Sequence, residues 1–547
     1  MFRKSWLRLA VLASLAAPAV AQTTMAPAAR QEGRFTDITR ESGVAEIVAD
    51  HCQTVAKMLQ AQKGEQKEWW LSGFTLADLD GDGTLDLHLA GHGMQAVAAR
   101  NDGKGRFAAV DFKPEIPRGK GKRDVIPYPG GEIRMVFDLL ERGWLDILAS
   151  YGDGGGENYL NECKPGNPPA WNFKPYEPGF DAFSRAVAFA DLNRDGFVDY
   201  MMTGDGGRNN ATHPMRVYLG KGEGRWETGP EIAVLKEAGA IPVDINGDGF
   251  LDLLVSQRGY NPSARWILLN DGKMNFRNAT KECGLEEGGS IMGVGDLNQD
   301  GCPDLVCLDT QDGGKSFDLG LYLNDGKGHF TKGAEVAGLK GPRPTTGNWG
   351  GAVVTDFDND GLADVVVNGR YFLYFLRGTG GGKFEYVNEK WHLPATIHPA
   401  VDEGLCFGDI DGDGMLDLVT FGPGPTEKQP GVAVLRNDLP RRNWIRVQLI
   451  GKKGNRAAAN AVIRLTEPGT GKLIWYEQIC IWGRQSFHSH YFAANTERHF
   501  GLGDRSTVDL GVTFYPSGKN VEKKAVSANR IVTVNEQADA VDEKELK

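Results

Sequence analysis

A nine-residue pattern, Asp-x-(Asp/Asn)-x-Asp-Gly-x-x-Asp, begins at Asp78, Asp191, Asp244, Asp296, Asp356 and Asp409 of this 547-residue sequence. A seventh copy at Asp138 keeps Gly143 and Asp146 but has Leu140 and Arg142 at its third and fifth positions. The seven starts lie 60, 53, 53, 52, 60 and 53 residues apart. Such spacing marks a repeat architecture, in which each unit buries its apolar face against its neighbours.

The surroundings of the loop repeat too. Each copy runs into a short apolar burst, such as Leu251-Asp252-Leu253-Leu254-Val255 or Ala363-Asp364-Val365-Val366-Val367. Bursts of this length, rich in Val and Leu and bounded by Gly, predict buried strands. About twenty residues after the loop start comes a turn such as Leu269-Asn270-Asp271-Gly272 or Leu323-Asn324-Asp325-Gly326, then an aromatic that opens another strand. Asn-Asp-Gly is hairpin chemistry, because Gly takes positive φ at little cost. One strand before the loop and three after it give four strands per unit. Seven such units predict an all-β chain with a seven-bladed β-propeller over 35–438. The last unit stops after its third strand at Val434–Asp438, and Phe35-Thr36-Asp37-Ile38-Thr39 has the pattern of a fourth, so the N-terminal strand is expected to close the ring.

Positions 1, 3, 5 and 9 of the loop bring oxygens together, and Gly at position 6 permits the sharp turn. A carboxylate-rich, all-oxygen shell suits Ca²⁺ rather than zinc. The expected ligands are Asp78, Asp80, Asp82 and Asp86; Asp191, Asn193, Asp195 and Asp199; Asp244, Asn246, Asp248 and Asp252; Asp296, Asn298, Asp300 and Asp304; Asp356, Asp358, Asp360 and Asp364; and Asp409, Asp411, Asp413 and Asp417. An EF-hand needs Glu at position 12, where this chain has Leu89, Met202, Val255, Cys307, Val367 and Thr420. About six Ca²⁺ sites are therefore expected. The Asp138 loop is expected to hold none, Arg142 supplying the positive charge there.

The chain begins with a basic stretch (Arg3, Lys4, Arg8), an apolar run and Ala19-Val20-Ala21, the layout of a secretory signal peptide over 1–21. Export to the periplasm or the extracellular space is expected, with no membrane span. The formal charge of −11 argues against a nucleic-acid partner. Seven cysteines leave at least one thiol unpaired, and no CxxC occurs. Beyond the repeats, Trp444–Leu449, Ala461–Thr466, Lys472–Glu477 and Val508–Phe514 alternate as strands of a small β domain over 440–535. Residues 536–547 are charged and nearly free of aliphatics, and are expected to fray.

These repeats resemble the FG-GAP or VCBS type found in integrin α-subunit propellers, with Phe407-Gly408-Asp409 matching the FG signature. The stretches Asn443–Leu449, Gly454-Asn455-Arg456, His499-Phe500-Gly501-Leu502-Gly503 and Tyr515-Pro516-Ser517-Gly518 resemble the ASPIC/UnbV domain. The combination is similar to the cartilage acidic protein and bacterial UnbV family. Ala457–Ala461 replaces that family's glycine-containing turn, and Tyr515 stands where Trp is usual. The resemblance implies calcium-binding propellers used for adhesion or matrix contact, without an assigned catalytic activity.

Two functions are compatible with this reading. The first is a binding module for an extracellular or periplasmic protein or glycan. The second is an enzyme working in the propeller funnel, polysaccharide-active or quinone-dependent, although no Ser-His-Asp signature, Walker loop or HExxH motif occurs. The end of the ring opposite the Asp loops is the expected ligand face, with Glu132, Arg185 and Glu403 as candidate ligand residues.

Overall fold

The computed structural model describes residues 33–61, 70–92, 94–110, 133–150, 158–164, 170–176, 186–202, 214–234, 238–257, 264–311, 316–333, 336–339, 350–369, 372–394, 405–426, 429–484, 487–488 and 497–545. The signal-peptide segment, Glu132, Arg185 and Glu403 lie outside the described residues. No described helix is long and apolar enough to cross a membrane.

Each repeat unit forms one antiparallel sheet of four sequential strands, and the described residues hold seven such sheets. Unit 4 is representative: Ala238–Val243, Asp252–Gln257, Arg265–Asn270 and Phe276–Asn278. In all seven units the ninth loop residue is the first residue of the second strand. Unit 7 takes its fourth strand from the N-terminal side, Phe35 pairing with Asn437 and Asp37 with Leu435. The expected exchange that closes the ring is present.

Neighbouring sheets pack through aromatic contacts. Phe74 meets Phe421 at 4.6 Å, Phe137 meets Phe189 at 4.9 Å, and Phe357 meets Phe407 at 4.7 Å between ring centroids. Such rings dominate the energetics of burial. One helix, Val44–Ala61, interrupts the all-β pattern between the closing strand and unit 1. It buries Val44 and Val48, one turn apart, against the propeller core.

The C-terminal domain has two four-stranded sheets. One orders Glu497–Gly503, Asn443–Ile450, Arg530–Asn535 and Ala540–Glu545; the other orders Leu473–Gln478, Val462–Thr466, Thr507–Phe514 and Lys519–Ser527. The expected fraying of the terminal segment is corrected. Ala540–Glu545 pairs along its whole length with Arg530–Asn535, and its charges are matched by Lys523 to Glu543 and Arg530 to Glu545. An edge strand with mostly exposed side chains needs no aliphatic residues, which is why composition misled.

The two parts are interlocked. Ile481–Arg484, from the C-terminal domain, pairs antiparallel with the first strand of unit 3, Ile481 opposite Phe189 and Arg484 opposite Ala186. It also touches the first strands of units 2 and 4, and its partner Phe487–His488 touches those of units 2 and 6. First strands line the channel of a propeller, so a hairpin that reaches units on opposite sides of the ring stands inside it. It enters from the Asp-loop end, where Phe189 lies two residues before Asp191.

Candidate metal centres

The loops are built first by two carboxylates. The ninth-position Asp accepts a hydrogen bond from the second-position N–H in six units: Leu79 to Asp86, Leu192 to Asp199, Ile245 to Asp252, Leu297 to Asp304, Phe357 to Asp364 and Ile410 to Asp417; in the Asp138 loop the donor is one residue later, the third-position Leu140 to Asp146. In six units its other oxygen accepts from the backbone at the end of the third strand: Asn101, Gly220, Asn270, Asn324, Gly378 or Asn437. The first-position Asp accepts from the sixth-position Gly in all seven, as Gly249 to Asp244 at 2.9 Å and Gly143 to Asp138 at 2.8 Å.

Four of those third strands end in Asn, and the Asn side chain does more than shape the turn. The amide of Asn324 donates to Pro303 O in its own loop and to Ile245 O in the preceding unit, at 3.0 and 2.8 Å. Asn101, Asn270 and Asn437 repeat the arrangement, reaching Ile410, Leu192 and Phe357. Each staples its unit to the one before it, and Asn101 does so across the ring closure. Sequence reasoning credited these residues to hairpins alone; the staple is non-local and only its recurrence hinted at it.

Positions 3 and 5 are arranged in two ways. Where position 3 is Asn, its amide donates to the fifth-position Asp: Asn193 to Asp195 at 3.0 Å, Asn246 to Asp248 at 2.9 Å and Asn298 to Asp300 at 2.8 Å. Where it is Asp, an arginine spans the same two positions in two loops. Arg100 lies 2.8 Å from Asp80 and 2.9 Å from Asp82, and Arg377 lies 2.7 Å from Asp358 and also bonds Asp360. Each arginine immediately precedes the residue whose N–H bonds the ninth-position Asp, Asn101 or Gly378, a second signal that sequence reasoning missed. The guanidinium offsets the extra charge that Asp brings relative to Asn.

The carboxylates are crowded and dry. Oxygens of Asp78, Asp80 and Asp86, of Asp356, Asp358 and Asp360, and of Asp409, Asp411 and Asp417 each lie within 4.8 Å of one another. Burial pushes Asp86 and Asp304 up to about 8, Asp199 and Asp252 up to about 7, and Asp78, Asp191 and Asp296 up to about 6. Asp356, Asp364 and Asp417, also buried among other carboxylates, rise well above the ordinary range. A hard divalent cation fits this donor set, since it would offset the desolvation that raises these groups. In the Asp138 loop Arg142 bonds Asp146 and Arg456 lies 2.8 Å from Asp138, so two cations meet two anions.

The loop face is covered by the C-terminal domain, which touches every loop. Lys544 lies against Gly83 of the first. In the next two, Gly454 donates to Glu141 and accepts from Val198. Gln478 accepts from the N–H of Asp244, and Gln299 donates to Ile474 O. His499 Nε2 lies 2.7 Å from Asn359 Oδ1, and Arg446, almost fully buried, lies 3.0 Å from Asp409 and 3.4 Å from Glu497. Two glycines permit the approach. A Cβ on Gly414 would stand 1.8 Å from Trp444, and one on Gly501 would stand 1.9 Å from Asp356. Trp444, Arg446, Gly454, Arg456, His499 and Gly501 all belong to the stretches that resemble the ASPIC/UnbV domain, so in this fold those stretches form a docking surface.

An FG-GAP-like repeat model matches residues 244–307, 296–367 and 356–420, and an ASPIC and UnbV model matches 451–541. Cartilage acidic protein 1 of Homo sapiens is 22% identical over 432 residues, covering 62% of this chain and 61% of the relative. That of Mus musculus is 23% identical over 331 residues, covering 47% of each. This chain thus spans less than two thirds of the length of these relatives. Among solved structures it is similar to an Agrocybe aegerita lectin specific for non-reducing terminal N-acetylglucosamine, at TM-score 0.40 and 19% identity, covering 62% of this chain and 86% of that one. It is also similar to the rhamnogalacturonan lyase YesW, at TM-score 0.36 and 14% identity, covering 69% and 73%. The chain carries FG-GAP-like repeats in a β-propeller and an ASPIC and UnbV domain, packed together through the Asp loops.

Proposed function

We propose that this protein is an exported, calcium-binding β-propeller that serves as a binding module for a protein or glycan outside the cytoplasm. The observation that carries the calcium reading is the Asp138 loop. It keeps the loop hydrogen bonds of Asp138 and Asp146 with Leu140 and Arg142 at positions 3 and 5. The turn therefore forms without carboxylates at those positions, and their presence, at both positions in three of the other loops and at the fifth in the remaining three, calls for a cation. Asp78, Asp80, Asp82 and Asp86, and the corresponding residues of the other five loops, would hold Ca²⁺. Bound there, the ion supplies positive charge that keeps the loop carboxylates ionised and the loop face ordered.

The binding-module reading is supported by the channel hairpin. A funnel enzyme needs an open mouth for its substrate, and Ile481–Arg484 and Phe487–His488 take up the channel from the loop end. The ligand face is then the opposite end or the rim between domains. Two measurements test the proposal. Metal analysis of the purified protein should find about six Ca²⁺ per chain, and fewer than three would overturn the calcium reading. N-terminal sequencing of the exported protein should begin at Gln22; an intact Met1 would overturn export through this segment.

A further inference from the structure

A cleft opens where the loops beginning at Asp191 and Asp244 meet the C-terminal domain. Arg194 and Arg464 both line it. Each is held by an aromatic ring rather than an acid, Arg194 5.1 Å from the Phe250 centroid and Arg464 5.1 Å from that of Tyr476. Neither makes an ion pair with a described residue. Tyr476 is only 8% exposed, yet among the described residues its hydroxyl has no hydrogen-bond partner. Gln478 accepts the N–H of Asp244 through its carbonyl oxygen, which leaves its NH₂ group open to the cleft. The acids of the wall are committed: both oxygens of Asp191 and both of Asp244 accept backbone N–H groups within their own loops.

Two guanidinium groups, a phenol and an amide therefore line a space whose two carboxylates already accept backbone N–H groups. A buried phenol without a partner, beside two exposed guanidinium groups that pair with no acid, favours an acceptor-rich, anionic occupant. Guanidinium groups match carboxylates in planar geometry, and stacking on rings orients them before a ligand arrives. The neutral donors beside them suit hydroxyl oxygens, which points to a sugar rather than an acidic peptide.

We propose that this cleft binds the carboxylate of an acidic saccharide, a uronic acid residue, with Arg194 and Arg464 on the carboxylate and Tyr476 and Gln478 on neighbouring hydroxyls. The proposal rests on the binding-module reading and names its ligand class; its contacts are all to the chain's own side chains. The loops alongside carry Asp191, Asp195, Asp199, Asp244, Asp248 and Asp252, whose charge opposes an anion. Calcium there strengthens binding by offsetting that charge.

The test is calorimetric titration of the full-length protein with trigalacturonic acid, with maltotriose and hexaglutamate as comparators, in 1 mM calcium and in EGTA. The expected result is saturable binding of the uronate, none of maltotriose, and a loss of about tenfold or more in the double variant R194Q/R464Q. Y476F loses a few-fold, and R464K, which keeps charge but not the planar fork, falls between. Both arginines are exposed, so the double variant should melt within about 2 °C of the parent. Uronate binding undiminished in R194Q/R464Q sinks the cleft and leaves the binding module standing. Preference for hexaglutamate, or binding of neither ligand, overturns the saccharide assignment.

Discussion

The loop at Asp138 and the loop at Asp244 make the same turn and differ in charge. Both hold their first-position Asp with N–H bonds from inside the loop and their ninth-position Asp with an N–H near the loop start, the second-position Ile245 in one and the third-position Leu140 in the other. At positions 1, 3, 5 and 9 the Asp244 loop brings three carboxylates, whereas the Asp138 loop brings two that are met by Arg142 and Arg456. The difference separates two jobs within one motif. Positions 1 and 9 are held in both loops; positions 3 and 5 add further loop bonds at Asp244, Asn246 accepting from the N–H of Asp248 and Asp248 from that of Phe250, and a charge without which the Asp138 turn still forms.

Removing calcium is the strongest way to test that separation. At about 1 mM free ion and a dissociation constant of roughly 0.1 mM, each site contributes about 1.4 kcal/mol, and six contribute about 8 kcal/mol. Excess EGTA should lower the melting temperature by more than about 10 °C, with loosening seen by hydrogen exchange at the six acidic loops and least at the Asp138 loop. An unchanged melt would remove the distinction. Next in size is Asp252→Ala, which strips the acceptor from the N–H groups of Ile245 and Asn270. Each buried N–H left unpaired costs about 1–3 kcal/mol, so the loss should be about 2–6 kcal/mol with or without calcium. Asp248→Ala should instead remove one Ca²⁺ and about 1.4 kcal/mol when calcium is present, and in EGTA only the smaller contribution of the exposed bonds it accepts from Phe250 and Asn246. Equal behaviour of the two variants in EGTA would break the assignment of roles.

The converse substitution sharpens the comparison further. L140D/R142D gives the Asp138 loop a full acidic set, and metal analysis should count one more Ca²⁺ than in the parent. The smallest effect concerns pH. Burial pushes Asp146 up to about 7 despite Arg142. Its folded pKa lies above its unfolded one, so the stabilisation from holding the proton is full below about pH 4 and is lost as pH rises through 7. Arg142→Ala should steepen that loss in thermal melts between pH 5 and 8, without changing the calcium count.

The loops and the ring were legible because each unit repeats the same local chemistry. Asp252 and Asp304 announce a turn followed by a strand wherever they occur, and Phe35–Asp37 could be matched to Phe276–Asn278 by pattern. What escaped the sequence is non-local. Arg100 reads as one more polar strand residue until the fold sets it across Asp80 and Asp82. Ile481–Arg484 is too short to declare a partner almost three hundred residues earlier. The helix Val44–Ala61 was hidden differently: its apolar face needs only Val44, Ile47 and Val48, a weak periodic signal between strong strand signals. Trp444, Arg446 and His499 were visible as a family resemblance, but that they seat on the Asp loops follows only from the packed domains.

The strand that closes the ring also sets a clock. Phe35–Asp37 is synthesised well before its partner Gln429–Asn437, which follows about 390 residues later. At roughly 5–20 residues per second, that is a wait of about 20–80 s. Throughout it, six sheets can pack in line while the first and last flanks stay uncovered, and Ile481–Arg484 is made later still. The ring thus closes only after residue 437 has been made, so a stall before that point leaves an open arc whose two uncovered flanks could pair with a second chain in place of Phe35–Asp37.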